Sequence, residues 1–402
     1  MMKRIAVLVL IAILTLALGE SALAAEFSFG GSCTFKYSND LGPSWYSGYH
    51  QADQSAIGWL SLTMTSKKTF SPKGSAYFQL LLEPTWYTEE AGGPTVLEPD
   101  TEVWSINFGY TYNFSDSLSF TIMKDKAGVD LSKGLLTGDD WGEKVKLTAK
   151  YGNPIGASDK LRGSTGSNAL LKLDAKPIEG LSLTVAVDPL PDEAVFGGPR
   201  YLLKGEYVGD GFKIGGGYGH GILEITGYPG GTAGYDIFDD YDLYAEVSPI
   251  EGLTVYAEYA MDYNQNEVAH LGQYLLKASY SWYPFTVNLM YANVDNDEAV
   301  KNPLNVYQAD KIYKKKSIDL AVDYKLRDDL TLSGGLAYGP DALADVFAKA
   351  KYGPYTATVS YDYAGEAVSL YGAYKFDGTN SIEAGYNLKT GIYELMLYLS
   401  LW

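Results

Sequence analysis

Apolar side chains recur at every second position along most of this chain. Phe27, Phe29, Gly31, Cys33, Phe35 and Tyr37 share one phase, and Ser28, Ser32, Thr34 and Lys36 share the other. The alternation returns at Ala76-Phe78-Leu80-Leu82, Trp104-Ile106-Phe108-Tyr110-Tyr112, Leu118-Phe120-Ile122 and Val145-Leu147-Ala149-Tyr151. It continues at Leu181-Leu183-Val185-Val187, Leu253-Val255-Ala257-Tyr259-Met261, Tyr274-Leu276-Ala278-Tyr280-Trp282 and Phe285-Val287-Leu289-Tyr291. Ile318, Leu320, Val322 and Tyr324 lead into Arg327-Asp328-Asp329, and Leu330, Leu332, Leu336 and Tyr338 lead out. Tyr355-Ala357-Val359-Tyr361 and Leu395-Leu397-Leu399-Leu401 close the series. Successive side chains of an extended chain point to opposite faces, so a period of two predicts strands with one apolar and one polar face. Weaker alternating segments lie between these, and no convincing amphipathic helix interrupts them.

The connections fall into two classes that broadly alternate. The tight ones are 113–117, 177–180, 209–211, 249–252, 283–285, 327–329, 353–354 and 377–379. The longer ones are 39–54, 84–101, 125–142, 188–199, 222–240, 262–270 and 294–316. One turn is repeated almost literally: KPIEGLSLTV at 176–185 against SPIEGLTVYA at 248–257. Its proline presets φ and its glycine accepts φ > 0, which is turn chemistry. Short turns at one end of an up-and-down sheet and long loops at the other are the signature of an outer-membrane barrel.

Three features favour lipid over a protein core as the partner of the apolar face. The strands run to about 9–11 residues, the length that crosses a bilayer at a tilt. Aromatic residues gather at strand ends, among them Tyr112, Phe114, Trp282, Phe285, Tyr324, Tyr352, Tyr355, Tyr374 and Phe376, as they do at membrane interfaces. The opposite face carries charge, which a watery lumen tolerates. The competing reading is a soluble all-β protein. A pair of sandwiches would need a linker, and none is visible; a β-helix would show a short fixed repeat. The expectation is therefore an all-β chain forming a transmembrane antiparallel up-and-down β-barrel with an even number of strands, about 18–22.

The first residues supply the route. Lys3 and Arg4 precede an apolar run of 15 residues, Ile5 to Gly19, and Ala22-Leu23-Ala24 follows as a small-x-small cleavage site. This reads as a signal peptide over 1–24, with 25–402 as a single barrel domain. Alternation starts directly after the cleavage site, so no plug is expected ahead of the first strand. The single cysteine, Cys33, excludes an internal disulfide. Composition agrees with sheet: Gly 44 and Tyr 35 are both high. The formal net charge of −18 argues against a nucleic-acid partner.

At this level the chain resembles the general porins and related outer-membrane channels of diderm bacteria. The resemblance covers the whole mature chain and rests on architecture, with Trp402 matching the terminal aromatic that the barrel-insertion machinery reads in that family. It implies a channel for passive diffusion of small hydrophilic solutes or ions. It also implies contact with outer-membrane lipid and lipopolysaccharide, and a homotrimer. The alternatives are a non-conducting barrel with an adhesive or envelope-structural role and, behind it, a barrel-type hydrolase.

Assigning the polar phase to the lumen names the pore-lining candidates. The basic ones are Lys36, Lys144, Lys146, Lys150, Lys172, Lys204, Lys277, Lys325, Lys349 and Lys351. The acidic ones are Glu83, Asp174, Glu206, Asp242, Glu246, Glu258, Asp319 and Asp323. The signs nearly balance, so the acidic excess lies in the connections and net charge alone does not set ion preference. In the porins it resembles, the third outer loop folds into the barrel, and the third long connection here is 125–142. Its Asp130, Lys133, Asp139 and Asp140 are the constriction candidates, while Leu131, Leu135, Leu136 and Trp141 are expected to pack on the inner wall. The basic run at 311–316 is a candidate for lipopolysaccharide phosphates.

Chemistry beyond passage has little support. No G-x-S-x-G elbow occurs. His50 and His270 fall in long loops, and His220 falls near an outer rim where Asp239 or Asp240 can approach it. No metal-ligand spacing is present. The expectation is no catalytic residue, no cofactor and no metal.

Overall fold

The computed structural model describes residues 26–38, 55–71, 73–82, 85–87, 98–100, 104–124, 129–130, 133–134, 160–161, 170–189, 200–225, 234–264, 271–293, 317–339, 343–363, 366–377, 379–391 and 393–400. All regular structure among them is β. The strands are β1 (Glu26–Ser38), β2 (Ser55–Ser71), β3 (Gly74–Leu82), β4 (Thr85–Tyr87), β5 (Glu98–Asp100), β6 (Trp104–Ser115) and β7 (Leu118–Lys124). Then come β8 (Val129–Asp130), β9 (Lys160–Leu161), β10 (Leu170–Ala175), β11 (Leu181–Asp188), β12 (Arg200–Gly209), β13 (Phe212–Ile225) and β14 (Gly234–Ile250). β15 (Leu253–Asn264), β16 (Leu271–Trp282), β17 (Phe285–Asn293), β18 (Ser317–Arg327) and β19 (Leu330–Tyr338) follow. The last are β20 (Leu343–Tyr352), β21 (Tyr355–Asp362), β22 (Ala367–Lys375), β23 (Ser381–Asn387) and β24 (Tyr393–Ser400).

One sheet holds 22 of these strands. β4 and β5 form a spur on the outer part of β2, through Ile57↔Tyr87 and Thr85↔Asp100. The remaining 20 pair antiparallel in sequence around a ring, with β3 passing to β6 and β7 to β10. The ring closes where β24 meets β1, from Ser32↔Ser400 to Ser38↔Glu394. An even, closed, up-and-down ring leaves no unpaired edge, which is the condition for a sheet to stand in hydrocarbon.

Face chemistry follows the expected phase over most of the ring, with apolar interruptions on the lumen phase such as Leu275, Met290 and Phe347. Phe108, Leu183, Leu203, Leu243, Leu276, Leu289, Leu320, Val359 and Leu370 are all exposed, and Leu243 reaches 59%. Asp242 and Asp319, one step along the chain from Leu243 and Leu320, are buried at 5% and 7%. A chain folding in water would reverse that arrangement. Here the convex surface is apolar and the concave surface is charged.

Aromatic girdles border the apolar band. Beside the tight turns, Tyr280, Trp282, Phe285 and Tyr324 contact in series at 5.2, 5.7 and 5.0 Å, and Tyr355, Tyr374 and Phe376 at 4.9 and 5.0 Å. Toward the other rim stand Tyr218–Tyr241 at 5.1 Å and Tyr259–Tyr274 at 5.0 Å. Tyr274 and Trp282 are eight residues apart on β16, about 27 Å along the strand at ~3.4 Å per residue. A tilt of about 40° reduces that to about 20 Å, close to the ~25 Å apolar band of such barrels.

The repeated PIEG sequence makes the same turn twice. Gly180 and Gly252 have φ of 79° and 80°. Each offers its carbonyl to the neighbouring hairpin, Gly180 to the Val208 N–H at 2.9 Å and Gly252 to the Ser281 N–H at 2.8 Å. An added Cβ would lie 2.4 and 2.3 Å from the backbone oxygens of Val208 and Ser281, so both space and φ demand glycine.

Turn 376–380 is tied by Asp377. Its carboxylate accepts the N–H groups of Thr379 and Asn380, both at 2.8 Å, the Asn380 side-chain amide at 2.6 Å and the Thr379 hydroxyl at 3.0 Å. The backbone donors of Thr379 and Asn380, ahead of the side-chain ones, hold its pKa at about 2. A depressed carboxyl stabilises the fold above its ordinary value and loses that contribution as pH falls through the folded one. Wild type and Asp377→Ala are therefore expected to differ in melting temperature at neutral pH. The difference should shrink between about pH 4 and pH 2 and vanish below.

One expectation changes. Residues 222–240 were expected as a loop, yet β13 and β14 stay paired out to Ile225↔Gly234 because Ile222, Tyr235 and Ile237 keep the period. β7 and β10 pair directly through Leu171↔Ile122, and their other edges are taken by β6 and β11. The alternating stretch 143–151 was also expected as a strand. Residues 143–151, with Lys144, Lys146 and Lys150, lie outside the described residues.

Candidate functional site

The concave wall is organised in cross-strand rows. One row reads Ser182, Glu206, Gly215, Tyr244, Glu258 across β11 to β15. The next row outward reads Thr184, Lys204, Gly217, Asp242, Ala260, and the next turnward reads Val208, Lys213, Glu246, Tyr256, with Lys277 on β16. Glycines at 215, 217, 219 and 221 leave the middle of β13 without side chains on the lumen face. Tyr244 uses the space. A Cβ at Gly215 would sit 2.4 Å from the Tyr244 hydroxyl, which reaches over the strand to donate to Glu206 Oε2 at 2.5 Å. Tyr256 donates to Glu258 Oε2 at 2.6 Å, and the two tyrosine rings stack at 6.2 Å. Lys213 lies 3.9 Å from Glu246 and 5.7 Å above the Tyr244 ring.

A segment of the connection after β7 sits inside this wall. Val129 and Asp130 pair with Leu161 and Lys160 in a two-residue ladder, β8 with β9. Val129 is buried against Met123, Ala186 and Leu202, with Tyr77 packed beside them. Those three residues interrupt the polar phase of β7, β11 and β12, and the seat they give Val129 is the reason. Lys133 donates from Nζ to Glu206 Oε1 at 2.8 Å, so a loop cation and a wall tyrosine share one carboxylate. Gly134 lies so near the wall that a Cβ would stand 2.7 Å from Asp242 Oδ2 and closer still to Glu258 Oε1. Starting from β7, the segment reaches β12, β14 and β15 on their charged face, which places it within the ring.

The candidates divide accordingly. Lys133, Glu206, Asp242 and Glu258 are brought together by loop and wall. Lys172 pairs with Asp174 at 2.9 Å, and Asp174 also accepts the Thr184 hydroxyl at 2.7 Å. Asp319 and Asp323 stand on the lumen phase of β18, and Asp323 shares a row with Ser333 and Lys349. Lys351 shares the next row with Thr331. Lys325 instead turns to Asp328 in the tight turn, at 2.9 Å. Lys36 stands opposite Met396 in the β1–β24 register. Glu83, Asp139, Asp140, Leu131, Leu135, Leu136, Trp141, Trp402, residues 1–24 and the basic run 311–316 lie outside the described residues. So do His50 and His270, and the side chain of Asp130. Sequence reasoning passed over Tyr244 and Tyr256, although the same alternation puts both on the lumen phase.

His220 stands on the convex face. Its Nδ1 lies 2.8 Å from Asp239 Oδ1, which also accepts the Tyr218 hydroxyl at 2.7 Å, and its ring stacks on Tyr201 at 4.7 Å. Tyr201 and Tyr218 close the arrangement into a rim cluster continuous with the outer girdle. Among the described residues, no group of three or more His, Cys, Asp or Glu is arranged to hold a metal ion.

No family model matches the chain, and no curated protein matches it. Solved structures do. A variant of the porin of Rhodopseudomonas blastica aligns over 94% of this chain and 100% of its own, at 11% identity and a TM-score of 0.43. A triple mutant of the same porin aligns over the same shares at 10% identity and a TM-score of 0.44. At those values the assignment of this chain stays with its own strand register and face chemistry.

Proposed function

We propose that this protein is an outer-membrane channel through which small hydrophilic solutes or ions diffuse passively, and that it is not an enzyme. One observation carries the reading: a closed ring of 20 strands turns its apolar face outward and its charged face inward, with a loop segment seated inside. A 20-stranded ring is wide enough to hold water unless something fills it. Residues 129–130 and 133–134 narrow one side of it. Acidic Asp242, Glu246 and Glu258 line the wall beside that segment, and Lys349 and Lys351 line β20 elsewhere around the ring. Charged groups of opposite sign facing one lumen orient polar solutes and set ion preference. The proposal includes cleavage of a signal peptide over 1–24, a single barrel domain over 25–402, assembly by the barrel-insertion machinery, contact with lipopolysaccharide, and a homotrimer.

The test is swelling of liposomes carrying the folded protein in isotonic sugars of graded size. Swelling is expected with small sugars and should fall off with solute size. Liposomes that hold folded barrel yet swell no faster than empty ones would leave the non-conducting alternative, a barrel with an adhesive or structural role.

A further inference from the structure

A recess of about 620 Å³ opens off the lumen beneath the seated loop segment. Its walls come from β7, β10, β11, β12 and β13, and Val129 and Lys133 of the loop roof it. Four lysines line it, Lys133, Lys172, Lys176 and Lys204, against two carboxylates, Asp174 and Glu206. The rows explain the grouping. Ser119, Asp174, Thr184 and Lys204 are consecutive cross-strand neighbours, and Lys172 stands one step outward from Asp174 on β10. Both carboxylates are already engaged. Asp174 holds Lys172 and Thr184, and Glu206 holds Lys133 and Tyr244. Among the described residues that line the recess, lysines outnumber carboxylates by two. The next strands along the wall present Asp240, Asp242, Glu246 and Glu258.

We propose that this recess is a binding site for a small oxyanion of two negative charges, inorganic phosphate or a small phosphorylated solute, on its way through the channel. The inference rests on the channel reading for its biological setting but not for its chemistry. Lysine ammonium groups hold phosphate as point charges, and hydroxyls donate to the remaining oxygens. Ser119, Ser182 and Thr184 supply hydroxyls on the same wall. A volume of this size falls in the range of small-molecule sites and exceeds the needs of a bare halide. The recess lies inside the ring, so a lipid headgroup is not the occupant. An anion is repelled by the acidic side chains of the neighbouring β14 and β15 and attracted here, and this favours the recess over the adjoining wall.

The experiment is equilibrium dialysis of the full folded protein in detergent against inorganic phosphate, and separately against glycerol phosphate, at constant ionic strength in chloride. Saturable binding of at least one of the two is expected. It should weaken at least tenfold in Lys172→Gln with Lys204→Gln, and persist in Lys375→Gln on β22 across the ring. Heat-modifiable migration on gels shows that each variant is folded. Absence of saturable binding in the wild type, or equal binding in the double variant, overturns the site. The preferred ligand separates free phosphate from a phosphorylated solute. A folded protein that binds phosphate but passes no solute refutes the channel and leaves the site; one that passes solute without binding does the reverse.

Discussion

Leu289→Arg is expected to destabilise the folded barrel by about 2–4 kcal/mol, whereas Asn288→Arg, one residue away, costs far less. Leu289 is the central residue of β17 and is 48% exposed on the convex face, in register with Ala278 and Leu320. Arginine there would place a charge at mid-height against hydrocarbon, where water is absent and no carboxylate is near. Asn288 points the other way, in register with Ser279 and Ala321. An arginine in its place extends into the lumen and keeps its hydration. Urea titration of the two variants in lipid vesicles, followed by the heat-modifiable band, measures the contrast. Equal losses would mean that the phase is wrong and that lipid does not cover the convex face.

Lys133→Glu is expected to release the seated loop and raise conductance. The wild-type ammonium lies 2.8 Å from Glu206, and the adjoining Gly134 sits against Asp242 and Glu258. Reversing the charge replaces one attraction with repulsion from three carboxylates. Lys133 is 62% exposed, so screening holds the change to about 1–2 kcal/mol. That is still about a tenfold shift between seated and released loop, since each ~1.4 kcal/mol is a factor of ten. Glu206→Lys added to Lys133→Glu restores the pair with its signs exchanged and should bring conductance back toward the wild-type value. If Lys133→Glu conducts like the wild type and the exchange changes nothing, the contact does not hold the loop.

Much of the wall is legible in the sequence because a barrel of this kind advertises each strand twice. Apolar residues recur at every second position of strands such as β16, β17 and β18, and a tight turn marks alternate strand ends. The PIEG copies name their own geometry: only glycine accepts the φ of Gly180 and Gly252. The pattern does not say which strands pair. Pairing is a property of two segments, and neither β7 nor β10 alone announces that they take each other across the long connection between them.

The site was legible in part. Its charges follow from the phase, and the presence of a loop in the lumen follows from resemblance. The seat of the loop does not. It rests on Met123, Ala186 and Leu202, apolar residues on the polar phase, and each alone reads as noise in the alternation. The closeness of Gly134 to Glu258, and of Gly215 to Tyr244, joins residues far apart in the chain. Neither glycine differs in sequence from the many others. Tyr244 and Tyr256 carried a signal, their place on the lumen phase, which a search restricted to charged residues passes over.

Single-channel recording of the folded wild-type protein in a planar lipid bilayer tests the central claim most directly. A charged, water-filled ring bordered by hydrocarbon predicts discrete current steps, linear in voltage at low field and scaling with salt concentration. A protein that inserts, shows heat-modifiable folding and yields no steps at any salt concentration would contradict it.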